Sequence, residues 1–149
     1  MFCIAGFDGY YKYLNPAWER TLGWNIEELL SKPWLDFVHP DDAENTENIK
    51  SVIVDGKELY KFENRYICKD GSIKWLSWNS QPFPKENIMI GAAKDITEAK
   101  KIENELIIAK EKAEESEERY RNLVEAASDA IYLTEEDGTV IDTNQSALD

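Results

Sequence analysis

From Asp95 to Ala127 the sequence has no glycine, no proline and no run of small polar residues, and directly before it IMIGAAKD (88–95) reads as a strand. A chain that leaves a strand and then runs this far without a breaker must form a long helix. Thr97 is expected to cap it, with Glu98 placed favourably at its positive end. Ala99, Ile102, Leu106, Ala109, Ala113, Ser116, Tyr120 and Leu123 follow in steps of three and four, a heptad seam with Ala99 at a and Ile102 at d. In a parallel pair, Glu105 would meet Lys110 of the second copy and Lys112 would meet Glu117, against one unfavourable meeting of Glu98 with Glu103. The seam is poor in large residues, which suits a helix pair with two packings of similar energy. A plain spacer helix stays open as the simpler account.

The rest of the chain alternates sharply in period. Residues 2–7 and 10–15 flank an Asp8-Gly9 turn and read as a hairpin. Asn15-Pro16 is expected to start a helix with Asn15 as its cap, and Gly23 ends it. Asn25 and Glu28 form a capping box for a second short helix that Pro33 stops. WLDFV (34–38) makes one more turn, and a helix over roughly 42–54 closes at Gly56. The period then drops to two. Tyr60, Phe62, Asn64, Tyr66 and Cys68 share one face of a strand over 58–69, and Asp70-Gly71 turns it into a strand over 72–83. Ile4, Trp18, Leu22, Phe37, Ile49, Phe62, Tyr66, Trp78 and Ala93 are the expected inward residues. Trp75 falls on the opposite face and is expected to need cover from a helix or a second subunit. Two strands, several short helices, three strands and a long helix make an α+β fold with an antiparallel sheet.

An internal repeat extends this reading. FCIAGFDGYYKYLN (2–15) lies on IYLTEEDGTVIDTN (131–144) at an offset of 129, with Asp8/Asp137, Gly9/Gly138 and Asn15/Asn144 coincident. The coincidences fall on the turn and the cap. The expected organisation is a first module over 1–96, a connecting helix over 97–127, and the start of a second module over 128–149, in a piece of a longer tandem protein.

Charge and composition narrow the function. The net charge is −13; residues 1–95 carry 15 acids against 11 bases, and 96–149 carry 15 against 6. With no basic stripe, nucleic acid and anionic membranes are poor partners. No apolar run reaches the roughly 20 residues of a membrane span, and two cysteines without framework spacing fit a reducing compartment, so a cytoplasmic setting is expected, whether alone or as part of a larger receptor. One histidine, no nucleophile elbow and no metal-ligand spacing point away from an enzyme and from a metal site.

"DGYYKYLNPAWERTLGW", "EELLSKPWLDFVHPDD", "RYICKDGSIKWLSW" and "IGAAKDITEAKK", in this order and spacing, resemble the successive blocks of a PAS domain with its C-terminal PAC segment. The resemblance covers residues 1–97, and the tail from about Glu118 resembles a second PAS domain. It implies a five-stranded sheet of spatial order 2-1-5-4-3 with short helices on one face and a pocket between them. Trp18, Leu22, Phe37, Ile49, Phe62, Asn64, Tyr66, Trp78 and Ala93 are the candidate pocket residues, each with ordinary core as its competing role. Asp95 and Thr97 resemble the D-I-T ending where strand becomes output helix. The resemblance further implies a sensory module or a dimerising relay, often of a histidine kinase. The heptad seam and Trp75 place the expected homodimer contact at the output helix and the sheet face. The competing class is a constitutive dimerisation module with no ligand.

Within that family, haem would have to use His39, which lies outside the helix that carries the ligand in most haem-binding members. Light-driven covalent flavin chemistry needs a cysteine among the helices and amides on the last three strands, where this chain has Tyr66, Leu76 and Ala93. No cofactor is therefore expected, with non-covalent flavin or another small ligand left open. The implied strand order also puts two strands between Cys3 and Cys68, about 14 Å, beyond disulfide reach.

Overall fold

A computed structural model describes residues 1–147, so the last two residues of the expected second-module segment lie outside the described residues. The chain forms two compact units, Met1–Lys101 and Ile102–Asp149. The first holds β1 (Phe2–Gly6), β2 (Tyr11–Leu14), α1 (Ala17–Leu22), α2 (Ile26–Ser31), a 3-10 turn (Trp34–Phe37), α3 (Pro40–Val54), β3 (Leu59–Ile67), β4 (Ile73–Phe83) and β5 (Ile88–Asp95). The helix α4 (Thr97–Glu125) begins there and continues into the second unit, which also holds β6 (Tyr132–Thr134) and β7 (Val140–Thr143).

The five strands of the first unit form one antiparallel sheet in the order β2-β1-β5-β4-β3, as the resemblance implies. The hairpins form where their turn residues require. The Asp8 carboxylate accepts the Tyr10 N–H, and Gly9 takes φ 89°, a value costly for any residue with a side chain. One sheet face carries Cys3, Ala5, Leu76, Trp78 and Ala93 into a core completed by Trp18 and Leu22 of α1, Leu29 of α2, and Trp34 and Phe37 of the 3-10 turn. Trp18 is fully buried, and its indole N–H donates to the Phe2 carbonyl. The capping box of α2 forms, with the Glu28 carboxylate accepting from the Asn25 N–H.

Four expectations change. Ile4 lies outside the core, because Cys3 and Ala5 are buried and its ladder partners Tyr13 and Ile90 sit on the outer face with it. Tyr60 is 72% exposed, because Lys61 takes φ 52° and the register slips between Leu59 and Phe62; this bulge hands the inward position to Leu59. Asn15 makes no side-chain cap for α1; its Oδ1 accepts the Phe2 N–H at 3.0 Å and ties the start of β1 to the end of β2. The Thr97 hydroxyl does not cap α4, whose first helical bond runs from the Lys100 N–H to the Ile96 carbonyl. It accepts the Trp75 N–H instead.

In the second unit, β6 and β7 pair as a hairpin that repeats the chemistry of β1 and β2. Gly138 also takes φ 89°, Asp137 accepts the Thr139 N–H, and Asn144 Oδ1 accepts the Ile131 N–H at 2.8 Å. The bulge recurs too, between Ile4 and Ala5 in the first hairpin and between Leu133 and Thr134 in the second. Asn144 is fully buried and donates to the Val124 and Asp129 carbonyls at 3.0 Å, which fastens the hairpin to the end of α4.

Leu76, fully buried on β4, tests the placement of the core. Leu76→Ala should cost about 2–5 kcal/mol, read in urea unfolding as a lower midpoint at unchanged slope.

Candidate functional site

A cavity of the first unit lies between the inner sheet face and α3. Its volume is about 50 Å³, lined by apolar groups of Cys3, Tyr11, Trp34, Ile49, Ile53, Leu59, Phe62, Trp78 and Met89, with Thr46, Lys50, Asn64, Tyr66 and Ser80 as polar members. Aromatic rings fill the space beside it. Trp18 lies 5.3 Å from Tyr11, 5.6 Å from Trp78 and 6.2 Å from Tyr66, centroid to centroid. The backbone comes close at Gly91, where an added Cβ would meet Cys3 Sγ at 3.0 Å and Ser80 Oγ at 3.3 Å.

The buried polar groups are joined to one another. Trp78 Nε1 donates to Asn64 Oδ1 at 2.8 Å, Asn64 Nδ2 donates to Thr46 Oγ1 at 3.1 Å, and the Thr46 hydroxyl donates to the Asp42 carbonyl at 2.7 Å. The Tyr11 and Tyr66 hydroxyls share a hydrogen bond of 2.9 Å. Burial raises the pKa of both phenols, and it pushes the Cys3 thiol up to about 12, so all three stay neutral. Both cysteines are free and buried.

Among the sequence candidates, Ile49, Phe62, Asn64, Tyr66 and Trp78 line the cavity, whereas Trp18, Leu22, Phe37 and Ala93 are buried away from its lining. The missed members have identifiable causes. Tyr11 was hidden by three tyrosines in YYKYL, of which the bulge turns Tyr11 inward and leaves Tyr13 half exposed. Thr46 and Lys50 sit on α3, where a four-residue spacing on a mostly polar helix was the available signal.

Behind the cavity, α3 is held to the sheet by an ion pair. Arg65 Nε and Nη2 donate to Asp42 Oδ2 and Oδ1 at 3.0 and 2.7 Å, and the Arg65 backbone N–H donates to Asp42 Oδ2 at 2.7 Å. The Arg65 hydrogen bonds hold the Asp42 carboxyl below its ordinary value of 3.8 against the opposing effect of burial. His39 precedes α3, and its Nδ1 accepts the Asp41 N–H. At the other end of the sheet, Asp95 accepts from the Thr97 N–H and hydroxyl and from Lys74, at 2.9, 2.5 and 3.0 Å. Burial raises its pKa, but these bonds outweigh that and leave it lowered. Trp75 is half-buried, with Arg65 and Lys100 each 5.4 Å from its ring, so the first turn of α4 supplies part of the cover expected for it. The seam residues Ile102, Leu106, Tyr120 and Leu123 are more than half exposed along α4, and Ala99, Ala109 and Ala113 are exposed with them.

A family profile described as "PAS fold" matches residues 11–92. The chain belongs to the PAS family. A second profile, described as "PAS domain", matches residues 118–149. The chain is 31% identical over 113 residues to the uncharacterised protein y4lL of Sinorhizobium fredii, covering 73% of this chain and 14% of that protein. It is 30% identical over 103 residues to sporulation kinase C of Bacillus subtilis, covering 66% of this chain and 24% of that one. The chain thus spans a quarter or less of the length of these curated relatives. A domain of a sensory box sensor histidine kinase/response regulator from Geobacter sulfurreducens superposes with a TM-score of 0.56 at 22% identity, covering 63% of this chain and 81% of that one. The PAS domain of a Colwellia psychrerythraea protein does so at 0.56 and 25% identity, covering 65% and 86%. Drosophila melanogaster Cycle PAS-B with bound ethylene glycol reaches 0.58 at 15% identity, covering 63% and 97%, which shows the shared fold. This PAS chain is thus similar to a domain of a sensor histidine kinase and to part of a sporulation kinase. No helix among the described residues is long and apolar enough to cross a membrane, and no group of His, Cys, Asp and Glu among them could hold a metal ion.

Two measurements test the polar core. Tyr66→Phe leaves the buried Tyr11 hydroxyl unpaired and should cost about 1–3 kcal/mol, whereas Tyr11→Phe with Tyr66→Phe should recover most of the loss. Asp42 has a lowered folded pKa, so its stabilisation is complete above its ordinary value and drains as the pH falls through the folded one. An acid titration of stability should therefore fall less steeply for Asp42→Asn than for the natural chain.

Proposed function

We propose that this chain is a sensory or relay PAS module that passes a ligand- or packing-dependent signal through α4 to a downstream domain. One observation carries the reading: the passage from β5 into α4 is bonded into the sheet at each step. Asp95 holds Thr97 and Lys74, the Thr97 hydroxyl takes the Trp75 N–H, and the Ile96 N–H donates to the Trp75 carbonyl. A shift of β4 or β5 therefore moves the start of the helix.

The outgoing partner is a second copy of the chain, paired along Ala99, Ile102, Leu106, Ala109, Ala113, Tyr120 and Leu123 in parallel register, with the outer sheet face contributing. Lys110 pairs with Glu114 and Arg121 with Glu117 within the same helix, so pairs between copies would compete with these. Similarity to sporulation kinase C and to the Geobacter sensor domain supports a histidine kinase downstream, in the same polypeptide and in the cytoplasm, with catalysis outside residues 1–149. The second profile match supports a PAS domain as the first receiver.

Size limits the ligand. A space of about 50 Å³ holds three or four water-sized positions, so a molecule of a few non-hydrogen atoms fits, and a flavin or haem would require Trp18 and its neighbours to move. One specific observation favours the second reading, a constitutive interaction module: Asn64 is already bonded to Trp78 and Thr46, and Tyr66 to Tyr11.

Native mass spectrometry of the chain purified without added ligand separates the readings. A dimer with a small extra mass per subunit is the expected result. A dimer at bare mass supports the constitutive module, and a bare monomer removes the α4 pairing. Leu106→Glu puts a charge into the seam and should weaken the dimer at least about tenfold, measured by analytical ultracentrifugation.

A further inference from the structure

The Trp75 ring is shared by two cations that belong to different parts of the first unit. Arg65 lies opposite Trp75 in the β3–β4 ladder, and Lys100 is on the first turn of α4, where it also pairs with Glu63 at 2.8 Å. Each cation lies 5.4 Å from the ring centroid, within reach of the negative face of an indole. Two like charges at one ring repel, and each is balanced by carboxylates, Arg65 by Asp42 at 2.7 Å and by Asp41 at 3.4 Å, and Lys100 by Glu63.

Asp42 has a second tie. Its carbonyl accepts the Thr46 hydroxyl, the last link of the hydrogen-bonded line from Trp78 and Asn64 at the cavity. The carboxylate of the same residue holds Arg65. Asp42 therefore stands where the cavity wall meets the ring that α4 rests on, with α3 as the element that carries it.

We infer that Trp75, Arg65 and Lys100 form a joint that couples the position of α3, the helical wall of the cavity, to the first turn of α4. The three act as positioning residues, and the inference rests on the reading of α4 as the output. A displacement of α3 changes how far Asp42 neutralises Arg65. The altered charge at the ring then changes the hold on Lys100 and on the start of the helix. The coupling is reciprocal by thermodynamic necessity, so a change at Lys100 must be felt at α3.

Two backbone amides report the two ends. The Arg65 N–H is held by Asp42 Oδ2 at 2.7 Å, and the Trp75 N–H by Thr97 Oγ1 at 2.9 Å. Their hydrogen exchange is measured by NMR on the isotope-labelled full chain, alongside thermal melting. Lys100→Met keeps the helix and its apolar stem and removes the charge. It should speed exchange of the Arg65 amide about two- to fivefold at unchanged melting temperature, although Lys100 does not contact that amide. Asp42→Asn should in turn speed exchange of the Trp75 amide. The control is Lys74→Met, which severs the Asp95 ion pair at the same junction without touching the ring, and should leave the Arg65 amide unchanged. An Arg65 amide indifferent to Lys100→Met, or equally sensitive to Lys74→Met, overturns the joint. Neither measurement uses a ligand or a dimer, so the joint can fail while α4 pairing stands, and a bare monomer by mass can defeat the output reading while the joint stands.

Discussion

The pairing of the first strand with the last is the constraint on which the rest of the first unit depends. β1 lies between β2 and β5, with Phe2 opposite Ala92 and Gly6 opposite Ile88. Until β5 arrives, the β1–β2 hairpin has an open edge and the core lacks Ala93. The Gly91 backbone lies against the Cys3 sulfur, so this pairing also fixes the depth of the cavity floor. It fixes the site from which α4 leaves as well, since α4 begins two residues after β5 ends. Contacts this distant in sequence close late and at an entropic cost that local hairpins do not face. Sheet closure, cavity and helix departure therefore depend on the same pairing.

The two faces of the sheet work by different physics. The inner face is buried, and its polar groups are joined in short lines: Trp78 to Asn64 to Thr46, and Tyr11 to Tyr66. Such lines are costly to break because a freed member loses its partner in a buried, low-dielectric setting. The outer face is more exposed and charged. Its contacts, Arg65 with Trp75 and Lys100 with Glu63, are individually weak and can be exchanged. A rigid inner face and an adaptable outer one suit a module whose fold must persist while its output varies.

Much of this was legible in the sequence, because turns and periods are local. Asp8-Gly9, Asp70-Gly71 and Gly56 sit at the boundaries, and α4 follows from the absence of breakers. The strand order came from the family resemblance, since no local pattern encodes which strands pair. The misses at Tyr60, Leu59 and Tyr11 share a cause: a single backbone irregularity changes which face a side chain takes. The Lys61 bulge turned Tyr60 outward and brought Leu59 in, and nothing in ELYKF announces it. Asn15 and Thr97 were read as helix caps because their residue types are those of caps. Each instead spends its oxygen on the N–H of a strand residue brought near by tertiary folding. At the cavity, five of nine candidates line the space. Periodicity separates inside from outside, but it cannot tell a wall from the filling behind it.

The two cysteines are buried in different parts of the sheet, Cys3 beneath the β1–β5 pairing and Cys68 beside the turn into β4. A Cys3 thiol pushed up to about 12 holds almost no thiolate at neutral pH, and its burial shuts out reagents as well. Alkylation must wait for the protein to open. The rate at which the Cys3 sulfur is labelled therefore times the opening of the β1–β5 pairing above it.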